Sequence, residues 1–102
     1  MVFLAALTKA AGDRAMALAR DLRARGLRVE LDYENKQKIG NQLDKANRRG
    51  AKAAVILGDD ELARGAAPVK DLATGEQTEA SLTDVEALAT RLQTILQRTK
   101  QG

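Results

Sequence analysis

The chain has 102 residues, 44% apolar and 30% charged, enough for one hydrophobic core with no room for a second. It has no cysteine, which excludes disulfides, thiolate metal sites and cysteine nucleophiles, and no histidine, which removes the commonest general base and metal ligand together. The net charge of +3 is uneven: residues 1–50 carry eleven Lys/Arg against six Asp/Glu, whereas residues 51–102 carry six against eight. A basic half on a small domain suits a polyanion partner, although such a bias alone more often serves solubility.

Val2 to Leu7 reads as a buried strand, too short to span a membrane and without the basic flank of a signal peptide. The expectation is a cytoplasmic protein with no membrane contact. A strand starting at residue 2 with no lead-in is the pattern of a domain cut from a longer chain. Thr8 to Asp13, containing Gly12, reads as a polar loop, and a helix follows to about Arg25, with Ala11, Ala15, Leu18 and Leu22 at helical spacing. Gly26 suits the left-handed residue past a helix end. Leu27 to Leu31 alternates apolar with charged, as expected of a half-exposed strand at a sheet edge.

A polar connection over residues 32–38 carries Tyr33, and a second helix is expected from about Lys38 to Arg49 with Ile39, Leu43 and Ala46 on its buried face. Asn41, Lys45 and Arg48 then point away from that face. After Gly50, Ala53 to Leu57 is a short apolar run centred on Val55 and Ile56, the pattern of a strand buried on both faces. Asp59 to Glu61 fit the first turn of a short helix, where carboxylates complement the dipole. Pro68 to Leu72 and Glu76 to Ala80 form a hairpin around Gly75, and Thr83-Asp-Val-Glu86 reads as a capping box opening a last helix. The tail over residues 98–102 is polar and expected to fray.

The order β-α-β-α-β-(short α)-β-β-α is that of a three-layer α/β domain. With the edge-like second strand on one side of the first and the third strand on the other, right-handed crossovers put the first two helices on opposite faces. Ligands of such sheets favour the carboxyl ends of strands at the switch point, here loops 8–13 and 58–61. The carboxylates of Asp59, Asp60 and Glu61 have the ligand type for Mg²⁺. No P-loop or GxGxxG accompanies them, so a charged first turn is the better reading.

Lys36, Lys38, Lys45, Arg48 and Arg49 form a basic strip on the second helix and its lead-in, interleaved with Asn35, Gln37, Asn41, Gln42 and Asn47. Cations suit phosphates and amides suit base edges, while Tyr33 beside them suits stacking on an unpaired base. A solvated helix face accounts for the same pattern, and periodicity does not choose between the two.

Three segments carry a resemblance. Residues 15–32 (AMALARDLRARGLRVELD), 42–62 (QLDKANRRGAKAAVILGDDEL) and, most specifically, 69–77 (VKDLATGEQ) resemble the anticodon-binding domain of class II aminoacyl-tRNA synthetases, closest to the C-terminal domain of histidyl-tRNA synthetase. The similarity covers nearly the whole chain. It implies a three-layer α/β/α fold with a five-stranded mixed sheet in order 2-1-3-4-5, strand 4 antiparallel. It also implies one anticodon-binding domain over residues 1–102 that docks on the anticodon stem-loop of tRNA-His. This chain would be non-catalytic and without a cofactor; a parent catalytic domain using ATP and Mg²⁺ would charge the tRNA, and a homodimer would form through that parent. The tRNA-facing residues implied are Tyr33, Lys36, Lys38, Asn41, Gln42, Lys45, Arg48 and Arg49. Where the family usually has two lysines before GlnLeu, this chain has Gly40 and Asn41, and Asn47 replaces an aspartate. That departure motivates a second reading, a protein-interaction or dimerisation module of the same fold. Small-molecule or phosphoryl chemistry at Asp59–Glu61 ranks third.

Overall fold

A computed structural model describes residues 1–32 and 39–98. The elements are β1 (Val2–Ala6), α1 (Lys9–Ala24), β2 (Val29–Asp32), α2 (Ile39–Arg48), β3 (Ala53–Leu57), α3 (Asp59–Arg64), β4 (Ala66–Asp71), β5 (Gln77–Ser81) and α4 (Val85–Arg98). They build a five-stranded mixed sheet in order β2-β1-β3-β4-β5. Strand β1 is parallel to both β2 and β3, β4 is antiparallel to β3, and β5 is antiparallel to β4. This is the expected order, with β3 beside β1 and fully buried along its length.

The first helix starts earlier than its sequence suggests. Thr8 is its N-cap, accepting a hydrogen bond from the Ala11 amide at 3.1 Å, so residues 9–13 are helix rather than loop. A helical glycine costs about 1 kcal/mol relative to alanine, which the cap and the buried stripe Ala11, Ala15, Leu18, Ala19 and Leu22 outweigh. The switch-point loop after β1 is thereby reduced to Leu7 and Thr8.

Both long crossover helices end in the same way. Gly26 (φ 88°) and Gly50 (φ 81°) adopt the left-handed conformation that glycine enters without a Cβ clash. Leu27 N then donates to Leu22 O and Ala51 N to Ala46 O, the reversed bond of a Schellman motif. Leu27 is thus part of the helix stop, which is why β2 begins at Val29 rather than Leu27. The last helix is capped one residue later than expected: Asp84 Oδ1 accepts from Ala87 N at 3.1 Å, while Thr83 pairs with Ser81. Of residues 98–102, expected to fray, Arg98 closes α4 and residues 99–102 lie outside the described residues.

The two faces of the sheet are unequally covered. Helices α1 and α4 pack on one face, with Leu62 of α3 against the same cluster, where Leu4, Leu18, Leu22, Leu57, Leu88 and Leu92 interlock. Among the described residues the other face has α2 alone, over a small cluster of Phe3, Ala5, Ala46 and Ala51 edged by Met1 and Leu72. The first two helices therefore lie on opposite faces, as right-handed crossovers require.

Candidate nucleic-acid interface

The described part of the basic strip falls on and just after α2, the lone helix of its face among the described residues. Tyr33, Lys36 and Lys38, in its lead-in, lie outside the described residues. Of the rest, Asn41, Arg48 and Arg49 are exposed and Lys45 is half-buried. Arg49 Nη1 reaches Glu30 Oε1 on β2 at 2.7 Å, with the two side chains 52% and 43% exposed. A pair so open to water contributes about 0–1 kcal/mol and leaves the guanidinium able to take another anion.

Gln42 is placed differently from its sequence expectation. Instead of facing solvent on the strip, its side chain is fully buried, and Nε2 donates to the Ala6 carbonyl at 2.9 Å. Ala6 follows Ala5, whose pairing with Asp32 is the last between β1 and β2 among the described residues. A carbonyl can only accept, so the amide nitrogen must face it. The tie turns α2 so that Gln42 and Ala46 point inward, while Leu43 is only partly covered and Asp44 joins the outward face. Gln42 Oε1 is buried and has no protein hydrogen-bond partner among the described residues. Helical periodicity scores glutamine as outward-facing, and its partner lies 36 positions away, so no local pattern identifies this role.

Gly40 lies within the first turn of α2, exposed, and a Cβ there would meet nothing within 4 Å. Gly40 and Asn41 thus leave the helix formed.

The carboxylate cluster is occupied with structure. Asp59, Asp60 and Glu61 form the first turn of α3. Thr8 Oγ1 donates to Asp59 Oδ1 at 2.8 Å, and Glu61 pairs with Arg64 at 3.1 Å. Among the described residues no group of three or more acidic side chains is arranged to hold a metal ion. Asp71, nearly buried, accepts the Ala73 and Thr74 amides and so shapes the turn of the most specific sequence segment. Among the described residues no helix is long and apolar enough to cross a membrane.

This geometry agrees with the relatives. The family described as the anticodon binding domain matches residues 1–92. A histidine–tRNA ligase of Bacillus cytotoxicus is 46% identical over 80 residues, 78% of this chain and 19% of that protein. A crystal structure of histidyl-tRNA synthetase from a Nostoc species superposes with a TM-score of 0.78 at 33% identity, covering 89% of this chain and 22% of the other. The RNA-binding domain of a Cryptosporidium parvum threonyl-tRNA synthetase shares the fold with a TM-score of 0.79 at 14% identity, covering 93% of this chain and 23% of the other. The chain spans about a fifth of the length of the curated relatives it matches. With its sheet order, hairpin and sequence all in agreement, the chain belongs to the anticodon-binding domain family of aminoacyl-tRNA synthetases, on its histidyl branch.

Proposed function

We propose that this chain is a single domain of a larger histidine–tRNA ligase and that it docks on the anticodon stem-loop of tRNA-His. A separate catalytic domain of the parent uses ATP and Mg²⁺ to charge that tRNA in the cytoplasm, and the parent pairs as a dimer. The observation that carries the reading is the 46% identity to a histidine–tRNA ligase, in the region that the anticodon-binding family covers. Supporting it, the exposed Asn41, Arg48 and Arg49 and the half-buried Lys45 lie on the one helix of the open face.

Roles divide by side-chain chemistry. Lys45, Arg48 and Arg49, with Lys36 and Lys38 in the lead-in, meet phosphates; Asn41 reads a base edge, and Tyr33 stacks on a splayed base. Gln42 acts as a positioning residue, fixing how α2 presents these groups. The interaction-module reading has less support, because Gly40 leaves α2 intact and its neighbours accessible.

The test is a titration with the anticodon stem-loop of tRNA-His and that of an unrelated tRNA. Affinity should favour the first and fall with salt at a log–log slope of roughly 0.7–0.9 per phosphate neutralised. Lys45→Glu with Arg48→Glu should abolish binding while the thermal unfolding midpoint stays close to that of the native chain. Equal, salt-insensitive affinity for the two RNAs would overturn the reading.

A further inference from the structure

Further cations gather at the carboxyl end of α2, where the strip ends in Arg48 and Arg49. The residues leading into β1, β2 and β3 are Met1, Arg28 and Lys52, and they are tied side by side. Val2 N donates to Arg28 O at 2.8 Å and Lys52 N donates to Met1 O at 2.9 Å. Strand alternation assigns their side chains to a face. Leu27, Val29 and Ala53 enter the large core, so Arg28 and Lys52 project to the α2 side, where Met1 and Phe3 already pack. Lys70 is directly opposite Ala54 in the β3–β4 ladder and so shares the face of Lys52. Arg48 and Arg49 close α2 at this same end, beside Glu30.

Arg28, Arg48, Arg49, Lys52 and Lys70 thus converge from strand, loop and helix onto one shelf. Glu30 engages Arg49, and no ion pair engages Arg28, Arg48, Lys52 or Lys70 among the described residues. Cations at a helix carboxyl end offset its dipole, which accounts for Arg48 and Arg49 but not for three cations on strands and their lead-ins.

The chemistry of the shelf differs from that expected at the amino end of the strip. Its charged groups are all Lys and Arg apart from Glu30, and its aromatic neighbour Phe3 is buried under α2. Among the described residues it carries no surface ring to stack on an unpaired base, and it is suited to sequence-independent contact with phosphates. The ten residues of α2 rise about 15 Å, roughly four or five phosphates at about 3.4 Å per phosphate along a strand.

We propose that this shelf of Arg28, Lys52 and Lys70, continued by Arg48 and Arg49, is a second RNA contact that grips the phosphates of the paired stem when the loop is held at the amino end of α2. The inference rests on the function proposed above, and it adds a direction: the stem runs along α2 toward the amino ends of β1–β3.

The test uses Arg28→Glu with Lys52→Glu against two RNAs, the full anticodon stem-loop of tRNA-His and its loop as a linear oligonucleotide. Both substituted side chains are exposed, and a thermal melt checks that the variant is folded. The variant should bind the stem-loop roughly tenfold more weakly, with the salt slope reduced by about 1.5, the loss of about two phosphate contacts. Its affinity for the linear loop should be unchanged. If the native chain binds both RNAs and the variant matches it on each, the shelf assignment falls while the proposed function stands. Equal losses on both RNAs would also overturn it, by making the effect one of general charge. If the native chain binds neither RNA, both readings fall. Unchanged RNA binding together with weakened binding of a separately produced catalytic portion would reassign the shelf to a protein partner.

Discussion

The two faces of the sheet solve different problems with the same five strands. The α1/α4 face buries twenty apolar side chains among the described residues, enough to supply most of the hydrophobic stabilisation. Among the described residues the α2 face buries a cluster of four, together with Ala54, Ile56 and Gln42, and its margin at the amino ends of the strands carries Arg28, Lys52 and Lys70. One face is therefore free to be optimised for packing, while the other can tolerate unpaired cations because little of the fold depends on it. The pleat itself separates core from surface, since neighbouring residues point to opposite faces: Ala53 enters the large core, and Lys52, just before β3, is exposed on the other side.

The largest test of that division is Leu92→Ala in α4. Leu92 is fully buried in the large core, and truncation should cost about 2–5 kcal/mol in urea unfolding. Arg48→Glu on the α2 face should stay within about 0.5 kcal/mol of native stability. Comparable losses at the two sites would erase the distinction. Gln42 is the exception that sharpens it, a polar residue on α2 with a buried structural bond. Gln42→Leu leaves the Ala6 carbonyl without its amide donor and should cost about 1–3 kcal/mol, whereas Asn41→Ala, one residue earlier and exposed, should cost about 0.5 kcal/mol or less. The reverse ranking, read from the same unfolding curves, would return Gln42 to the surface.

A smaller effect is expected at the start of α4. Asp84→Ala removes the cap seen at the Ala87 amide and should cost about 1 kcal/mol, more than Thr83→Ala, as calorimetry would report. Smallest of all is the Arg49–Glu30 pair. A double-mutant cycle should give a coupling of about 0–1 kcal/mol that fades in high salt, because both side chains are about half exposed. A large, salt-resistant coupling would mean that the α2 face is held by electrostatics.

Most of this architecture can be read from local patterns, and the exceptions share a cause. The apolar run at Ala53–Leu57, the alternation before Leu31 and the glycine-centred hairpin state their positions directly, and β3, the edge strand β2 and the β4–β5 pair follow. The misplaced boundaries depend on hydrogen bonds that a local pattern does not express. Thr8 could belong to a loop or cap a helix, and the Ala11 amide decides it. Thr83 and Asp84 are both competent caps, and only the course of the chain after Ser81 selects the second. Gln42 is the furthest case, because its partner lies on another strand. The shelf was illegible for a similar reason. Arg28, Lys52 and Lys70 are scattered in sequence, and only the register of β1, β2, β3 and β4 brings them to one face.

The central claim, that RNA docks on the α2 face and leaves the α1/α4 face untouched, is most directly tested by following backbone amide NMR shifts during titration with the tRNA-His anticodon stem-loop. Shifts should concentrate in α2, at Arg28 and Lys52 and along the α2-facing positions of β1–β4, with the exposed sides of α1 and α4 silent. Shifts centred on α1 and α4, with α2 unmoved, would contradict it.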